Sequence, residues 1–249
     1  MSKKILLVTG ASRGIGAAVA KMAAAQGYAV AINYANDRAA AEKVGSAVEK
    51  AGSKALIVKA DVAREDEVRR LFEEIDNKLG RLTHLVNNAG IVGRASRLDA
   101  ADPATIRQVI DLNVTGAILV AREAAKRMST ANGGEGGAIV NLSSAAATIG
   151  SPGEFSWYAA SKGAIDSFTL GLARELAKEG VRVNAVSPGL IETDIHASSG
   201  QPDRVARMSG LIPMSRAGSA DEVAETILWL LSDKASYVTG ANIRVAGGR

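Results

Sequence analysis

Apolar and polar positions alternate in blocks along this chain of 249 residues. Short apolar runs at 5–9, 28–33, 54–60, 83–87, 138–143, 181–187 and 243–245, most of them ended by Gly, Asn, Ser or Pro, read as buried strands. Longer segments with helical spacing lie between them. Residues 16–26 form an alanine-rich helix closed by Gly27, and 38–51 an amphipathic one ending at Gly52. Residues 64–79 read as a charged surface helix stopped by Gly80. A long helix is predicted over 103–129, with Pro103 in the favourable first turn. Further helices fall within 155–178 and over 220–232, while the glycines of 132–137 exclude a helix there. This strand–helix rhythm implies an α/β fold: a mostly parallel, seven-stranded sheet with helices on both faces and right-handed crossovers. Neither a linker nor a repeat interrupts it, so residues 1–249 are expected to form one domain.

Composition narrows the function classes. Hydrophobic residues make up 47% of the chain and aromatics only 4%, which suits tightly packed helices better than aromatic stacking platforms. There are no cysteines, so disulfides, thiol catalysis and Cys-ligated zinc are excluded. With only two histidines as well, no metal site is expected. The net charge of +4 is spread out, without a Lys/Arg block that would suit nucleic acid or a membrane. Met1, Ser2 and Lys3 lead into an apolar run too short for a signal-peptide core. No apolar stretch is expected to reach the ~18 residues of a membrane span. A cytoplasmic location is the expectation.

Candidate chemistry sits at strand ends. Gly10, Gly14 and Gly16, in Thr9-Gly10-Ala11-Ser12-Arg13-Gly14-Ile15-Gly16, follow a strand and open a helix. Glycines there let the backbone approach a pyrophosphate, and the helix N-terminus supplies N–H donors. A plain strand-to-helix turn is the alternative. Asn87-Asn88-Ala89-Gly90 ends the fourth strand and reads as a cleft wall or an ordinary turn. Asn113 falls inside a helix, where asparagine has poor propensity. Ser143 and Ser144 end the fifth strand, at the edge where open α/β sheets bind ligands; capping is their bland alternative. Tyr158 and Lys162 are four apart, so a helix puts them on one face. A phenol has a pKa near ~10, and a neighbouring ammonium lowers it. The pair is a plausible general acid/base.

The ordered set Thr-Gly-x-x-x-Gly-x-Gly, Asp61-Val62, Asn-Asn-Ala-Gly, Asn113, Ser, Tyr-x-x-x-Lys and Pro188-Gly189 resembles the short-chain dehydrogenase/reductase (SDR) family, from Thr9 to Gly248. The length is similar to the family's shorter branch. Within it, the chain resembles bacterial 3-oxoacyl-carrier-protein-reductase-like and glucose-dehydrogenase-like members. The resemblance implies a Rossmann-type doubly wound fold and hydride transfer between a nicotinamide cofactor and a carbonyl or secondary alcohol. It implies Tyr158 as general acid/base and Lys162 as its pKa modulator and ribose ligand. A serine would hold the substrate oxygen, and Asn113 would keep a water that relays protons. Ser144 is the preferred serine, but one residue more than usual separates it from Tyr158, so Ser143 stays open. Cofactor contacts are implied for Gly10, Ser12, Arg13, Gly14, Ile15, Gly16, Asn33, Tyr34, Asp61, Val62, Asn87, Ala89, Gly90, Pro188, Gly189, Ile191 and Thr193.

The second strand ends in Ile32-Asn33-Tyr34 and lacks the acidic residue expected of an NAD-preferring fold. Arg13 can offer positive charge to a 2′-phosphate, so NADP(H) is expected, with NAD(H) possible. Asp37 argues the other way unless it caps a helix. Residues 190–214 should form a substrate lid. In it, His196 is expected to face solvent, and His84 elsewhere to be structural. Arg94 and Arg97 are read as solvated loop residues that could otherwise meet an acidic substrate group. The family resemblance also implies a homotetramer, built on the helices around Asn113 and Ser161 and on the C-terminal helix and strand. The alanines of 159–177 serve either that interface or the sheet. A different class remains open: a catalytically silent dinucleotide-binding sensor or scaffold. Dehydration or epimerisation on the same scaffold is a third reading.

Overall fold

A computed structural model describes residues 4–249; Met1, Ser2 and Lys3 of the N-terminal reading lie outside the described residues. Seven strands form one sheet: β1 (Ile5–Val8), β2 (Ala29–Tyr34), β3 (Ala55–Lys59), β4 (His84–Asn87), β5 (Gly137–Leu142), β6 (Val181–Pro188) and β7 (Asn242–Val245). Their order is β3-β2-β1-β4-β5-β6-β7, and every pairing is parallel. The helices are α1 (Gly14–Ala25), α2 (Arg38–Lys50), α3 (Glu65–Lys78), α4 (Pro103–Ile110), α5 (Ala117–Met128), α6 (Ala146–Ile149), α7 (Ser156–Leu176), α8 (Ile195–Ser198), α9 (Arg204–Met208) and α10 (Ala220–Leu231).

The pleat sorts side chains into two cores. Leu6, Val8, Val30 and Ile32 face α1, α2 and α10, while Ile5, Leu7, Ala31 and Leu85 face α3, α5 and α7. Both faces are covered, which is why β1 is buried at all four positions and shows no polar alternation. Strand order reverses direction between β1 and β4, and a crevice opens there beyond the carboxyl ends.

Three sequence expectations change. Residues 103–129 are not one regular helix: a π-helical turn, Asp111–Gly116, separates α4 from α5. Its physical cause is Asn113, whose amide accepts from Ile91 N at 2.9 Å and donates to Ile91 O at 2.8 Å. Those bonds draw the helix toward the loop after β4. Pro103–Met128 is also long and apolar enough, by length and composition only, to match a membrane span, which the sequence reading did not expect. Here it packs on α3, β4 and β5. Finally, β1 stops at Val8, and Thr9 turns its hydroxyl to accept from Asn88 N and Ala89 N at 2.9 and 3.0 Å.

Candidate active site

The glycine-rich turn lies at the crevice, between β1 and α1. Gly10 has φ +61°, and a Cβ there would sit 2.9 Å from the Ala89 Cα. A Cβ on Gly16 would come within 2.6 Å of Asn88 Nδ2 and 2.7 Å of Gly10 O. Asn88 is threaded between them and donates to Thr9 O and Gly10 O at 2.8 and 3.1 Å. The turn and the β4 loop therefore pack as one unit that admits only glycine at these points. Helix α1 starts at Arg13 without a side-chain cap, in contrast to α2, α4 and α10, which Asp37, Asp102 and Ser219 cap. Its first-turn N–H groups are left to an external acceptor. That donor set fits a dinucleotide pyrophosphate.

Asn33 is buried and lies beneath this turn. Its Oδ1 accepts from Gly10 N at 3.2 Å, and its Nδ2 donates to Ala60 O at 2.9 Å. It therefore positions the turn from below rather than offering its amide to the crevice. Tyr34 and Val62 are also buried, and Asp61 is exposed with Oδ1 accepting from Ala63 N at 3.0 Å. Asp37 accepts from Ala40 N at 2.9 Å, a capping contact. Arg13 is exposed, and its guanidinium has no partner among the described residues. Asn87 is buried and donates to Ala117 O at 2.7 Å, which ties β4 to α5.

Tyr158 and Lys162 share one face of α7 and line a cleft of ≈ 190 Å³ together with Ser144, Asn88, Gly90, Pro188, Gly189, Ile191 and Thr193. Lys162 is buried, and its Nζ donates to Leu142 O at 2.6 Å. Burial lowers its pKa to about 8, while Asp166 one turn on pulls upward. The expectation of a lowered Tyr158 pKa is reversed in the protein alone. Burial pushes the phenol up, and a hydrogen bond from Ser144 pulls it partly back. The ammonium is turned toward the Leu142 carbonyl and lies 5.7 Å from the Tyr158 ring centre. The phenol is thus a proton donor at neutral pH. Asn113 is buried, and donates from Nδ2 to Ser161 Oγ at 3.1 Å as well as clamping Ile91.

The two serines face different ways. Ser143 is buried and donates to Lys162 O at 3.2 Å, whereas Ser144 is half-exposed in the cleft and bonds Tyr158. Behind them lies a polar group that no motif announced. Asn242 Nδ2 donates to Asp166 Oδ1 at 2.8 Å, and Ser187 Oγ donates to Asn242 Oδ1 at 2.7 Å. These residues come from α7, β6 and β7, so no local pattern could have joined them.

Helices α8 and α9 border the cleft. His196 lines it rather than facing solvent: Ile191 O accepts from its Nε2 at 2.9 Å, and burial lowers its pKa. The acceptor is a carbonyl, so Nε2 carries the proton. His84 is buried edge-on to Tyr28, and burial lowers its pKa to about 4. Arg94 and Arg97 are exposed and outside the cleft, with Arg97 paired to Asp99 at 3.1 Å. Arg204 and Arg249 line it instead, and neither carried a sequence signal.

A family model described as enoyl-(acyl carrier protein) reductase matches residues 10–249. The chain belongs to the short-chain dehydrogenase/reductase family. It is 52% identical over 245 residues to the uncharacterized oxidoreductase YgfF of Escherichia coli, covering 98% of this chain and 99% of that one. Among solved structures it is similar to a Burkholderia cenocepacia short-chain dehydrogenase in complex with NADP (35% identity, TM-score 0.90, 98% and 97% of the two chains covered). It is also similar to a Brucella melitensis 3-ketoacyl-(acyl-carrier-protein) reductase complexed with NADH (34% identity, TM-score 0.91, 99% and 98% covered).

Proposed function

We propose that this protein is an NADP(H)-dependent oxidoreductase that interconverts a carbonyl compound and its secondary alcohol, with Tyr158 as general acid/base. The observation that carries this reading is the convergence of Ser144, Tyr158 and Lys162 on one cleft beside the glycine turn. Bound there, NADP(H) supplies or accepts the hydride. Ser144 holds the substrate oxygen, and Tyr158 donates the proton to it during reduction. Lys162 bonds the nicotinamide ribose, adds positive charge beside the phenol, and with Asn113 returns a proton from solvent through a water. Glycines 10, 14 and 16, with Ser12 and Ile15, cradle the pyrophosphate; Asp61 and Val62 flank the adenine, Gly90 lines the cleft, and Asn87 and Ala89 brace the β4 loop behind it. Pro188, Gly189, Ile191 and Thr193 line the cleft, where they would border the nicotinamide.

NADP(H) is favoured over NAD(H) on three grounds. Arg13 stands unpaired at the turn, Asp37 is engaged as a cap, and no carboxylate ends β2. Relatives bind either dinucleotide, so the preference rests on these residues. Residues 190–214, holding α8 and α9, close over the substrate, and the protein works as a cytoplasmic homotetramer. The test is oxidation of NADPH, with NADH in parallel, across β-ketoacyl thioesters, diketones, aldehydes and quinones. Tyr158→Phe is expected to cut turnover by at least ~10³-fold while NADPH fluorescence still reports binding. Retained turnover in that variant defeats the assignment.

A further inference from the structure

The cleft carries guanidinium donors that the proposed reaction does not use. Three cationic side chains line it, Lys162, Arg204 and Arg249, and no aspartate or glutamate among the described residues does. Lys162 belongs to the proton path; the two arginines have no part in it.

Arg204 is held in place. Its side chain is only 12% exposed, and Nη1 pairs with Glu154 at 2.6 Å while donating to Gln201 Oε1 at 2.5 Å. The guanidinium also lies over the Phe155 ring, 5.3 Å from its centre. A guanidinium presents five N–H donors in a rigid fork. Both of the bonds above use Nη1, and Nε and Nη2 have no partner among the described residues. The guanidinium of Arg249 has none either. Glu154 offsets the charge of Arg204, and the second guanidinium shares its residue with the terminal carboxylate of Arg249. Ile149, Phe155, Leu190 and Ile195 add apolar wall, beside the polar Ser144, Ser151, Thr193 and His196. A forked donor on a fixed stem, partly withdrawn from water, matches a planar carboxylate, and the attraction is stronger there than in bulk solvent.

We infer that the substrate is an oxo acid whose carboxylate is gripped by Arg204 and Arg249, while its carbonyl meets Ser144 and Tyr158. This rests on the oxidoreductase reading above and narrows it to a substrate class. In reduction, the carbonyl carbon receives hydride, two electrons and one proton, from NADPH. The carbonyl oxygen receives the Tyr158 proton, which solvent replaces. The products are the hydroxy acid and NADP⁺.

Matched pairs of oxo acids and their methyl esters, assayed with NADPH, test this on the whole protein. The acid is expected to exceed its ester about tenfold or more in kcat/KM, and salt near ~0.5 M erodes the advantage of the acid alone. Arg204→Gln and Arg249→Gln each lower the acid-to-ester ratio toward one. Damaged folding depresses acid and ester together and leaves the ratio unmoved, so the ratio separates recognition from structure. Arg249 stands outside the Glu154 pair, and its variant keeps the test sound where Arg204→Gln fails to fold. Esters turned over as well as acids overturn the inference, as does a wild-type ratio in variants that keep their wild-type turnover of the ester. Turnover of neutral aldehydes or diketones, with acids and esters both refused, overturns it while the oxidoreductase reading survives. Silence across the panel with both cofactors overturns both.

Discussion

Ser143 and Ser144 are adjacent in the chain and separated in role by the end of β5. The first points back to the Lys162 carbonyl, the second into the cleft beside Tyr158. Sequence spacing leaves them equivalent to within one residue, because the extra residue before Tyr158 could be absorbed anywhere in the intervening loop. The turn from the end of β5 into α6 decides between them. Ser144→Ala is expected to lower kcat by roughly 10²–10³-fold, the loss of one donor to the reacting oxygen. Ser143→Ala instead costs stability, about 1 kcal/mol from one buried hydrogen bond, with kcat near wild type. Steady-state kinetics and urea unfolding of both variants check this, and the reverse pattern exchanges their roles. The Tyr–Lys spacing was legible because four residues make a helical turn. The direction of the Tyr158 shift was not, because it depends on burial by α6 and the cleft walls, which no pair spacing encodes.

Elements formed where local pattern and packing agreed. The apolar strands, the alanine face of α1 and the glycine stops all reflect backbone preferences within a few residues. The π-helical turn at Asn113 could not be read that way. Residues 103–129 keep helical spacing throughout, and the distortion comes from the Ile91 backbone, which arrives from another part of the chain. A similar remote tie joins β6 to α10. Arg182 donates to Leu230 O at 2.7 Å and Ser232 O at 3.1 Å, capping the carbonyls at the end of α10. Arg182→Met is expected to destabilise by about 2 kcal/mol, which lowers the melting temperature by roughly 4–8 °C in a chain of this size. Calorimetry checks this, and an unchanged transition removes Arg182 from the account of that helix end.

At the scale of the molecule, three of the longer helices present large apolar side chains to solvent. Ile118 on α5 and Leu170 on α7 are 39% and 42% exposed, and Trp229 on α10 is 40% exposed. They lie on the helices assigned to the proposed tetramer. The alanines of this stretch divide as well: Ala159 and Ala173 are buried, Ala160 and Ala177 exposed. Leu170→Arg is expected to split the assembly to dimers or monomers in sedimentation velocity, because it buries an unpaired charge in the interface. A wild-type chain that sediments as a monomer removes the tetramer altogether. The class of fold was determined by the sequence alone, as was the placing of Tyr158 and Lys162 on one helix face, since strand and helix periods and a four-residue spacing are local properties of a chain. Tertiary structure decided the rest: which serine enters the cleft, that Asn33 supports the turn from beneath, that His196 lines the cleft, and that Arg204 and Arg249 replace Arg94 and Arg97 there. Each depends on segments far apart in sequence meeting at one sheet edge, and long-range packing, rather than local preference, sets that meeting.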